Sequence, residues 1–289
     1  MIARPDAFVE AVLAWGVPRL RDLPWRRSRD PWGILVAEVM AQQTQVDRVI
    51  QRWERFLDRF PTPQVCAAAS LGDVLREWHG LGYPRRARAL HEAASAIVAH
   101  GAFPDTLEGL LALPGVGAYT ARAVLAFSFE APAAVVDTNI ARVLARSAGE
   151  RLTARRAQLL ADELCPPEDS WVWNQVIMDL GALLCRPAPR CGECPVAVQC
   201  SWSTAGQPEP DPAVGTAGVS GKQARFEGSD RQARGRLIAR LVQGELPVDD
   251  AAAVMGVDAD RGRRLLAALV GEGLAARAID GRREVLRLP

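Results

Sequence analysis

The sequence lacks the features that mark membrane and exported proteins. Although 49% of its 289 residues are hydrophobic, no uninterrupted apolar run approaches the roughly 20 residues that a membrane-spanning helix requires. The amino terminus also lacks the basic segment followed by an apolar segment that a signal peptide shows. We therefore expect a soluble protein of a reducing, cytoplasmic compartment, with no membrane partner.

Alternating β-branched patterns and histidine are both scarce. The three histidines, His79, His91 and His100, are scattered and form no metal-binding pattern. Alanine, leucine and valine instead recur at helical spacing over residues 7–200, interrupted by short segments that contain proline or glycine. This pattern predicts a mainly α fold with helices of roughly 10 to 18 residues.

The composition changes after residue 200. Residues 205–228 are rich in Pro, Gly, Ser, Thr and Ala and have few large apolar side chains, which predicts a linker. Residues 229–289 then show three amphipathic helical patterns and two short strands around Asp280-Gly281, a dipeptide that favours a tight turn. Three helices and a β-hairpin predict a small winged-helix-like unit.

Positive charge is concentrated locally rather than overall. The net charge is only +1, but a DNA-binding face can be offset by acidic residues elsewhere on the surface. Arginines cluster over residues 19–29 and again over residues 85–88, next to Tyr83. Each cluster is a candidate DNA-binding face, with a solvated helix face as the alternative.

The segment LPGVGAYT, residues 113–120, lies between two helical segments. Its glycines, Gly115 and Gly117, allow a sharp backbone turn and a close approach to a partner. The second helix would begin with unpaired N–H groups, which suit a phosphate oxygen. The segment predicts a contact with the DNA backbone or, alternatively, an ordinary turn between helices.

Two isolated acids stand in apolar surroundings. Glu38 is the only charged residue between Asp30 and Asp47, so we expect desolvation to raise its pKa and make it a proton donor, unless it faces solvent. Asp137 could cap a helix that begins at Thr138. A capping carboxylate would keep a low pKa and remain ionised beside a neutral Glu38, the pair that an oxocarbenium-like transition state requires.

Four of the six cysteines fall within sixteen residues: Cys185, Cys191, Cys194 and Cys200. Because a reducing compartment disfavours disulfides, this clustering predicts a metal centre made of iron and sulfur, with zinc as the alternative. We interpret the other two, Cys66 and Cys165, as ordinary small apolar residues.

In this order, the motifs resemble the helix-hairpin-helix glycosylase superfamily that includes endonuclease III, and in particular its MutY-type adenine DNA glycosylases. The resemblance extends from about Leu23 to Cys200. Besides the hairpin, its most specific segments are LPWR at 23–26, EVM at 38–40, QQTQV at 42–46, GLGY at 80–83, VDTN at 136–139, WNQ at 173–175 and MDLGA at 178–182.

The resemblance implies a helix-hairpin-helix DNA glycosylase fold with two main domains. A six-helix barrel would occupy residues 26–130. An iron–sulfur domain would occupy residues 1–25 and 131–204, with a [4Fe-4S] cluster on the four cysteines. The implied partner is double-stranded DNA containing a mismatch, from which the target base is rotated into a pocket. We expect a monomer associated with the nucleoid.

The resemblance also implies roles at the glycosidic bond. Glu38 matches the acid that protonates the departing base, and Asp137 matches the carboxylate that stabilises the sugar cation. Tyr119 and Asn139 match residues that assist at the same sugar. Water then completes the hydrolysis.

Five further positions match residues that hold DNA in related enzymes. Those that contact the extruded adenine are Trp25, Arg26 and Gln175. Those that wedge into the opened base stack are Gln43 and Tyr83. Gln175 favours adenine because its amide carries both the donor and the acceptor that an adenine edge requires.

The sequence departs from the family pattern at three places. Five residues separate Cys185 from Cys191, where the family usually has six, and Pro84 stands where a second tyrosine is common. Residues 229–289 are too short and too helical for the usual Nudix-like domain that reads 8-oxoguanine. This tail either stabilises the protein or grips the strand opposite the extruded base through Arg231, Arg263, Arg264, Arg282 and Arg283.

The predicted function is a monofunctional glycosylase of base excision repair that hydrolyses the N-glycosidic bond of adenine opposite 8-oxoguanine or guanine. Two alternatives remain open at this point. One is a thymine or uracil mismatch glycosylase of the same superfamily. The other is a non-enzymatic iron–sulfur protein that regulates through DNA binding.

Tyr119 generates a prediction, because strand-cutting enzymes of the endonuclease III type have a lysine at this hairpin position. A phenol cannot form a Schiff base with the sugar. We expect no efficient covalent protein–DNA adduct when the purified protein meets its substrate duplex in borohydride. Efficient trapping, at the level of an endonuclease III run in parallel, would show that the protein is not monofunctional.

Overall fold

The computed structural model describes residues 2, 4–219 and 225–289. These residues are mainly helical, as predicted, and none of their helices has the length and apolar character needed to cross a membrane. The helices are Pro5–Gly16 (α1), Pro31–Ala41 (α2), Val46–Arg59 (α3), Pro63–Ala68 (α4), Leu71–Trp78 (α5), Pro84–His100 (α6), Leu107–Leu111 (α7), Ala118–Ser128 (α8), Thr138–Ala148 (α9), Ala154–Leu164 (α10), Ser170–Leu183 (α11), Ser201–Thr204 (α12), Asp230–Val242 (α13), Ala251–Met255 (α14) and Ala259–Gly271 (α15). The strands are Leu246–Pro247 (β1), Ala276–Asp280 (β2) and Arg283–Arg287 (β3).

Local sequence sets many of the helix boundaries. The side chains of Ser70, Thr153 and Ser229 each accept a hydrogen bond from a backbone N–H in the first turn of α5, α10 and α13, which satisfies a donor that the helix leaves unpaired. At the other end, Gly149 follows α9 in a left-handed conformation with φ 70°. Glycine adopts this conformation without the steric cost of a Cβ atom.

The first of two compact units comprises residues 1–34, 105–110 and 116–223. Helices α1, α9 and α11 pack together in this unit, with the ring of Phe8 edge-on to Trp173 at 6.4 Å between centroids. Gly16 lies so close to Val176 that an added Cβ would be 2.0 Å from its Cγ1 atom. A small residue is therefore required where α1 crosses α11.

The first part of the predicted linker is packed on this unit. Leu152 N–H donates to Thr216 Oγ1 at 3.0 Å, Thr138 Oγ1 donates to Gly218 O at 2.7 Å, and Ala213 is buried. Residues 205–219 thus differ from the expectation drawn from composition, because hydrogen bonds and small buried side chains order a segment that has few large apolar residues. Residues 220–224 of the predicted linker lie outside the described residues.

The second unit comprises residues 35–104, 111–115 and 224–289. Helices α3 to α6 pack around a buried core in which Phe56 meets Phe60 at 5.0 Å and Trp78 at 6.3 Å between ring centroids. The carboxy-terminal residues 225–289 add the predicted three helices, α13 to α15, and the predicted hairpin of β2 and β3. The boundaries predicted for the glycosylase domains remain a prediction.

The three strands form an antiparallel sheet in the order β1-β3-β2. Ala278 pairs with Val285, and the turn between β2 and β3 contains Gly281 in a left-handed conformation with φ 59°. The sequence did not predict β1, in which Leu246 pairs with Leu286. Two residues are too few to show strand periodicity, and the pairing depends on a partner forty residues away.

The carboxy-terminal elements are fixed to α5 and α6. Glu272 accepts hydrogen bonds from Arg85 at 2.7 Å and from Arg234 at 2.8 Å, and these guanidinium groups lower its pKa to about 2. The N–H of Gly72 donates to the carbonyl of Pro289 at 2.8 Å. Residues 225–289 therefore belong to the same compact unit as the loop that precedes α6.

Candidate active site

Asp137 caps α9, as the sequence predicts. Its Oδ1 accepts from the backbone N–H of Ile140 at 2.7 Å, and its Oδ2 accepts from Asn139 Nδ2 at 2.8 Å. With one hydrogen bond on each oxygen, the carboxyl group has a defined orientation.

The segment before Asp137 is held in place by α11. Asn174 is buried; its Oδ1 accepts from the N–H of Val135 at 3.0 Å, and its Nδ2 donates to the carbonyl of Ala133 at 2.9 Å. A single amide side chain thus pairs with the N–H of Val135 and the carbonyl of Ala133, in an extended segment that no described strand adjoins. The position of the cap depends on this contact between distant parts of the chain.

The low pKa expected for Asp137 is wrong. Burial raises the pKa of this carboxyl group, and the hydrogen bonds from Ile140 and Asn139 offset that effect only in part. Capping alone would lower the pKa, but desolvation by the surrounding protein is the larger contribution here. The ionised form of Asp137 is therefore lost at a higher pH than for an ordinary aspartate.

Arg142 connects Asn139 to α11 and the cysteine loop. It lies one turn into α9 and is only 5% exposed; its Nη2 donates to Asn139 Oδ1 at 2.9 Å and to Gly181 O at 2.8 Å. Its Nε donates to Cys185 O at 2.5 Å. No role for Arg142 was predicted from the sequence, although an arginine on the apolar face of a helix indicates a buried, hydrogen-bonded charge.

Arg146, one turn further along α9, holds the start of the cysteine loop. Its Nη1 lies 3.5 Å from Cys185 Sγ and donates to the carbonyl of Arg186 at 2.6 Å, and its Nη2 pairs with Asp211 at 2.6 Å. Its guanidinium also stacks 4.8 Å from the ring of Trp202. A buried cation therefore stands beside the first cysteine.

The four clustered cysteines line one cavity, together with apolar residues such as Val143 and Val196. Burial raises the pKa of Cys185 and Cys200, and raises that of Cys194 to about 11. Among the described residues, no three His, Cys, Asp or Glu side chains meet closely enough to hold a single metal ion. All six cysteines are free thiols, and burial raises the pKa of both Cys66 and Cys165 to about 12.

The segment that contains Trp25 and Arg26 is attached to α11. Arg26 is 8% exposed and forms a bidentate pair with Asp179, with distances of 2.7 and 2.9 Å. Arg21 Nε adds a third hydrogen bond to the same carboxylate at 2.7 Å. Asp179 lies one helical turn beyond the buried Gln175. The ion pair therefore attaches Arg26 to α11, the helix that contains Gln175, and both residues are predicted to contact adenine.

Glu38 is buried within α2. It is 8% exposed, and its neighbours from Ile34 to Met40 are buried as well. The alternative of a glutamate that faces solvent is therefore wrong. Glu38 belongs to the second unit, whereas Asp137 belongs to the first.

The two predicted wedge residues lie on loops that share one arginine. Gln43 and Tyr83 both have left-handed backbones, with φ 55° and 48°, a strained conformation that clusters at functional sites. Arg86 donates to Gln42 O at 2.5 Å and to Leu81 O at 3.1 Å, and its guanidinium lies 5.0 Å from the Tyr83 ring. Burial lowers the pKa of Arg86 to about 10.

The glycines of the hairpin differ in their conformations. Gly115 has φ 73°, and an added Cβ would lie 2.6 Å from that of Ala89, so only glycine fits. Gly117 has φ −92° and caps α8. No described atom lies within 4 Å of an added Cβ there, and both Gly117 and Ala118 are exposed. Tyr119 is half-buried in the first turn of α8.

Comparison with known proteins identifies the family. Residues 36–167 match the model of the HhH-GPD superfamily of base excision DNA repair proteins. The adenine DNA glycosylase of Mycobacterium tuberculosis (strain CDC 1551 / Oshkosh) is 41% identical over 283 residues, which cover 94% of this chain and 91% of the relative. The chain belongs to the adenine DNA glycosylase family. It is accordingly an enzyme of base excision repair that hydrolyses N-glycosyl bonds and has DNA as its partner.

Other relatives show how far the similarity extends. The human adenine DNA glycosylase is 40% identical over 217 residues, which cover 69% of this chain but only 40% of the human protein. A thermostable thymine-DNA glycosylase superposes with a TM-score of 0.67 at 29% identity, over 70% of this chain and 97% of its own. A trapped endonuclease III–DNA intermediate, with a TM-score of 0.61 at 23% identity, covers 69% of this chain and 95% of its own and shares the fold.

The family excludes one earlier alternative. A purely regulatory DNA-binding protein does not account for 41% identity to enzymes along nearly the whole chain. The predicted site residues occur in both compact units. The first has Trp25, Arg26, Gly117, Tyr119, Asp137, Asn139, Gln175 and the four cysteines; the second has Glu38, Gln43, Tyr83 and Gly115.

The packing of α9 on α11 gives a testable prediction. A Cβ on Gly181 would lie 2.7 Å from the Cβ of Asn139, so Gly181→Ala displaces Asn139 and removes its hydrogen bond to Asp137. We expect single-turnover base release to slow on the order of 10²-fold, as a small misplacement of a reacting group can produce. Circular dichroism checks that the helices are retained.

Gly271→Ala is the matched control. It makes the same change within a helix, but no described atom lies within 4 Å of the added Cβ, and alanine favours the helix by about 1 kcal/mol. Its rate should equal that of the wild type. Equal rates for both variants would contradict the positioning of Asp137 through Asn139.

Proposed function

We propose that this enzyme releases adenine opposite 8-oxoguanine, or opposite guanine, by hydrolysis without cutting the strand. The observation that carries the proposal is the orientation of Asp137. Its two carboxylate oxygens are fixed by Ile140 N–H and by Asn139 Nδ2, the arrangement needed for a carboxylate that faces a developing sugar cation. Membership of the adenine DNA glycosylase family supports the choice of base.

Glu38 serves as the general acid in this proposal. Its burial within α2 shields the carboxyl group from bulk water, a setting typical of a general acid. Its proton passes to a ring nitrogen of the departing adenine as the glycosidic bond breaks. Asp137, in its ionised form, stabilises the sugar cation, and Tyr119 and Asn139 assist there. Water then adds to the sugar cation: its oxygen becomes the hydroxyl group of the product, and its other proton returns to the Glu38 carboxylate.

The adenine pocket is assigned to Trp25, Arg26 and Gln175. Asp179 binds both terminal nitrogens of Arg26, whereas the buried Nε of Arg26 has no hydrogen-bond partner among the described residues. An unsatisfied buried donor is costly, so an acceptor on the extruded base accounts for it. Gln175 is 4% exposed and carries both a donor and an acceptor for the adenine edge.

Gln43 and Tyr83 are the proposed wedge, and Gly115 and Gly117 are the proposed backbone contact. The strained backbones of the two wedge residues support this role. The absence of described neighbours around an added Cβ at Gly117 leaves room for a phosphate oxygen to approach the first N–H groups of α8.

The chain contains a single lysine, Lys222, which is in neither the hairpin nor any of the motifs. This supports hydrolysis by water instead of attack by an amine, since Schiff-base formation requires an amine. A monomer, a nucleoid-associated cytoplasmic location and the predicted domain boundaries complete the proposal.

The proposed cofactor is a [4Fe-4S] cluster held by Cys185, Cys191, Cys194 and Cys200. Four thiols around one cavity form a suitable donor set. The guanidinium of Arg146 beside Cys185 Sγ favours the thiolate that a metal requires. When bound, the cluster would supply structural cross-linking of the loop, while the chain's own residues carry out base removal.

Elemental analysis of the purified protein separates the cluster from zinc. We expect iron and acid-labile sulfide in about equal amounts, with broad absorption in the visible range that is lost in a Cys194→Ser variant. The buried Cys66→Ser variant, outside the loop, should keep both signals. Stoichiometric zinc without sulfide would contradict the cluster.

The proposed function is tested with duplexes that pair adenine, thymine or uracil with guanine or 8-oxoguanine. We expect the wild type to release adenine and to cut the strand only after alkali. Glu38→Gln should lower the single-turnover rate by roughly 10²- to 10⁴-fold, the usual contribution of a general acid, with DNA affinity retained.

Asp47→Asn is a suitable control, because it also removes a carboxylate but lies outside the proposed site. Release of thymine or uracil without adenine would favour the mismatch glycosylase alternative, which the similarity to a thymine-DNA glycosylase keeps relevant. An unchanged rate in Glu38→Gln would overturn the acid assignment.

A further inference from the structure

We infer that Arg231, together with Tyr83 and Phe226, forms a binding site for the base opposite the extruded adenine. This inference rests on the proposed function, because Tyr83 enters the base stack only if it is the wedge. It assigns a specific role to the carboxy-terminal helices, α13 to α15.

Arg231 links the carboxy-terminal helices to the wedge. It lies in the first turn of α13, and its Nη1 donates to the hydroxyl oxygen of Tyr83 at 2.6 Å. Its guanidinium lies 5.6 Å from the centroid of the Tyr83 ring and 5.1 Å from that of Phe226. A planar cation is thus placed between two aromatic rings, one of which is the proposed wedge.

Arg231 differs from the neighbouring arginines because no described carboxylate pairs with it. Neighbouring arginines are paired, Arg234 with Glu272 and both Arg261 and Arg264 with Asp230. Within the described part of the chain, the Arg231 guanidinium forms no salt bridge; it donates to the Tyr83 hydroxyl group and lies near the rings of Tyr83 and Phe226. Its remaining N–H donors are available to a ligand.

The cluster is partly open to solvent. Phe226 is 52% exposed, and Tyr83 and Arg231 are half-buried. The face of an exposed aromatic ring is apolar and interacts poorly with water. Here the ring lies next to a cation that has no described carboxylate partner. The two properties together indicate a ligand that offers both a flat surface and hydrogen-bond acceptors.

The attachment of α13 to α6 keeps Arg231 close to the loop that contains Tyr83. Glu272 ties α13 to α6 through Arg234 and Arg85, directly after the loop that contains Tyr83. A cavity of about 220 Å³ next to this loop is lined by residues around the loop and on α13, including Trp78, Gly82, Pro84, Gly235 and Ile238.

A guanine-type base matches this chemistry. Arginine recognises guanine through the O6 and N7 acceptors of its major-groove edge. 8-Oxoguanine carries a proton on N7, but it keeps the O6 acceptor and adds a carbonyl oxygen at C8 on the same edge. Aromatic side chains stack on unpaired bases with about 1 to 3 kcal/mol per base. When adenine leaves the helix, the opposite purine loses its pairing partner and can use both interactions.

The test measures affinity for duplexes with a non-hydrolysable 2′-fluoro-deoxyadenosine, placed opposite 8-oxoguanine, guanine or a base-free tetrahydrofuran. We expect Arg231→Ala to weaken binding about 10-fold opposite 8-oxoguanine and less than twofold opposite the base-free site. Fluorescence anisotropy at two salt concentrations gives the dissociation constants.

Arg236→Ala is the matched control. It removes the same charge from the same helix, but Arg236 is exposed and donates to Met255 O at 3.3 Å. It should weaken binding equally, and slightly, for all three duplexes. Arg231→Lys keeps the charge without the planar donor pair and should resemble Arg231→Ala; it also serves if the alanine variant does not fold.

Two outcomes would overturn the inference. An equal loss for all three duplexes, with a lower salt dependence, would show that Arg231 contacts a phosphate instead. Unchanged affinities would show that the cluster only stabilises the fold. Adenine release by the wild type is measured separately, so a failure of the proposed function is distinguishable from a failure of this site.

Discussion

The close packing of α9 against α11 is the constraint on which the candidate site depends. Gly181 lets the two helices approach until its missing Cβ would be 2.7 Å from Asn139. The same helix supplies Asn174, which holds the segment before Asp137. Capping of α9 and orientation of the Asp137 carboxylate therefore depend on the same packing contact, and so does the placement of Gln175, which is proposed to contact adenine.

Two buried arginines extend this contact to the cysteine loop. Burying a guanidinium is costly unless its donors are satisfied, and the carbonyls of Gly181, Cys185 and Arg186 accept from Arg142 or Arg146. The carbonyls of the loop thus accept hydrogen bonds from two guanidinium groups on α9 whose burial would otherwise be unfavourable. The path from Cys185 through Arg142 and Asn139 to Asp137 consists of hydrogen bonds of 2.9 Å or less.

The second unit holds the aromatic side chain of Tyr83, the proposed wedge residue, between elements that are distant in the sequence. Tyr83 has a strained backbone after a turn rich in glycine, and guanidinium groups on α6 and α13 approach its ring. Cations near an aromatic face stabilise its position by about 0.5 to 2 kcal/mol. Through Arg231, the carboxy-terminal elements contribute to the surroundings of Tyr83.

The sequence by itself determined the helices, the β-hairpin near the carboxy terminus, the cap at Asp137 and the apolar sequence around Glu38, because each follows from neighbouring residues and periodicity. Family resemblance, and not spacing, supplied the roles of the site residues. Only the tertiary structure decided the raised pKa of Asp137 and the parts played by Asp179, Arg142 and Arg231. Their partners are distant in the chain or their surroundings come from several helices, so burial and hydrogen bonding at these positions arise only when the chain is folded.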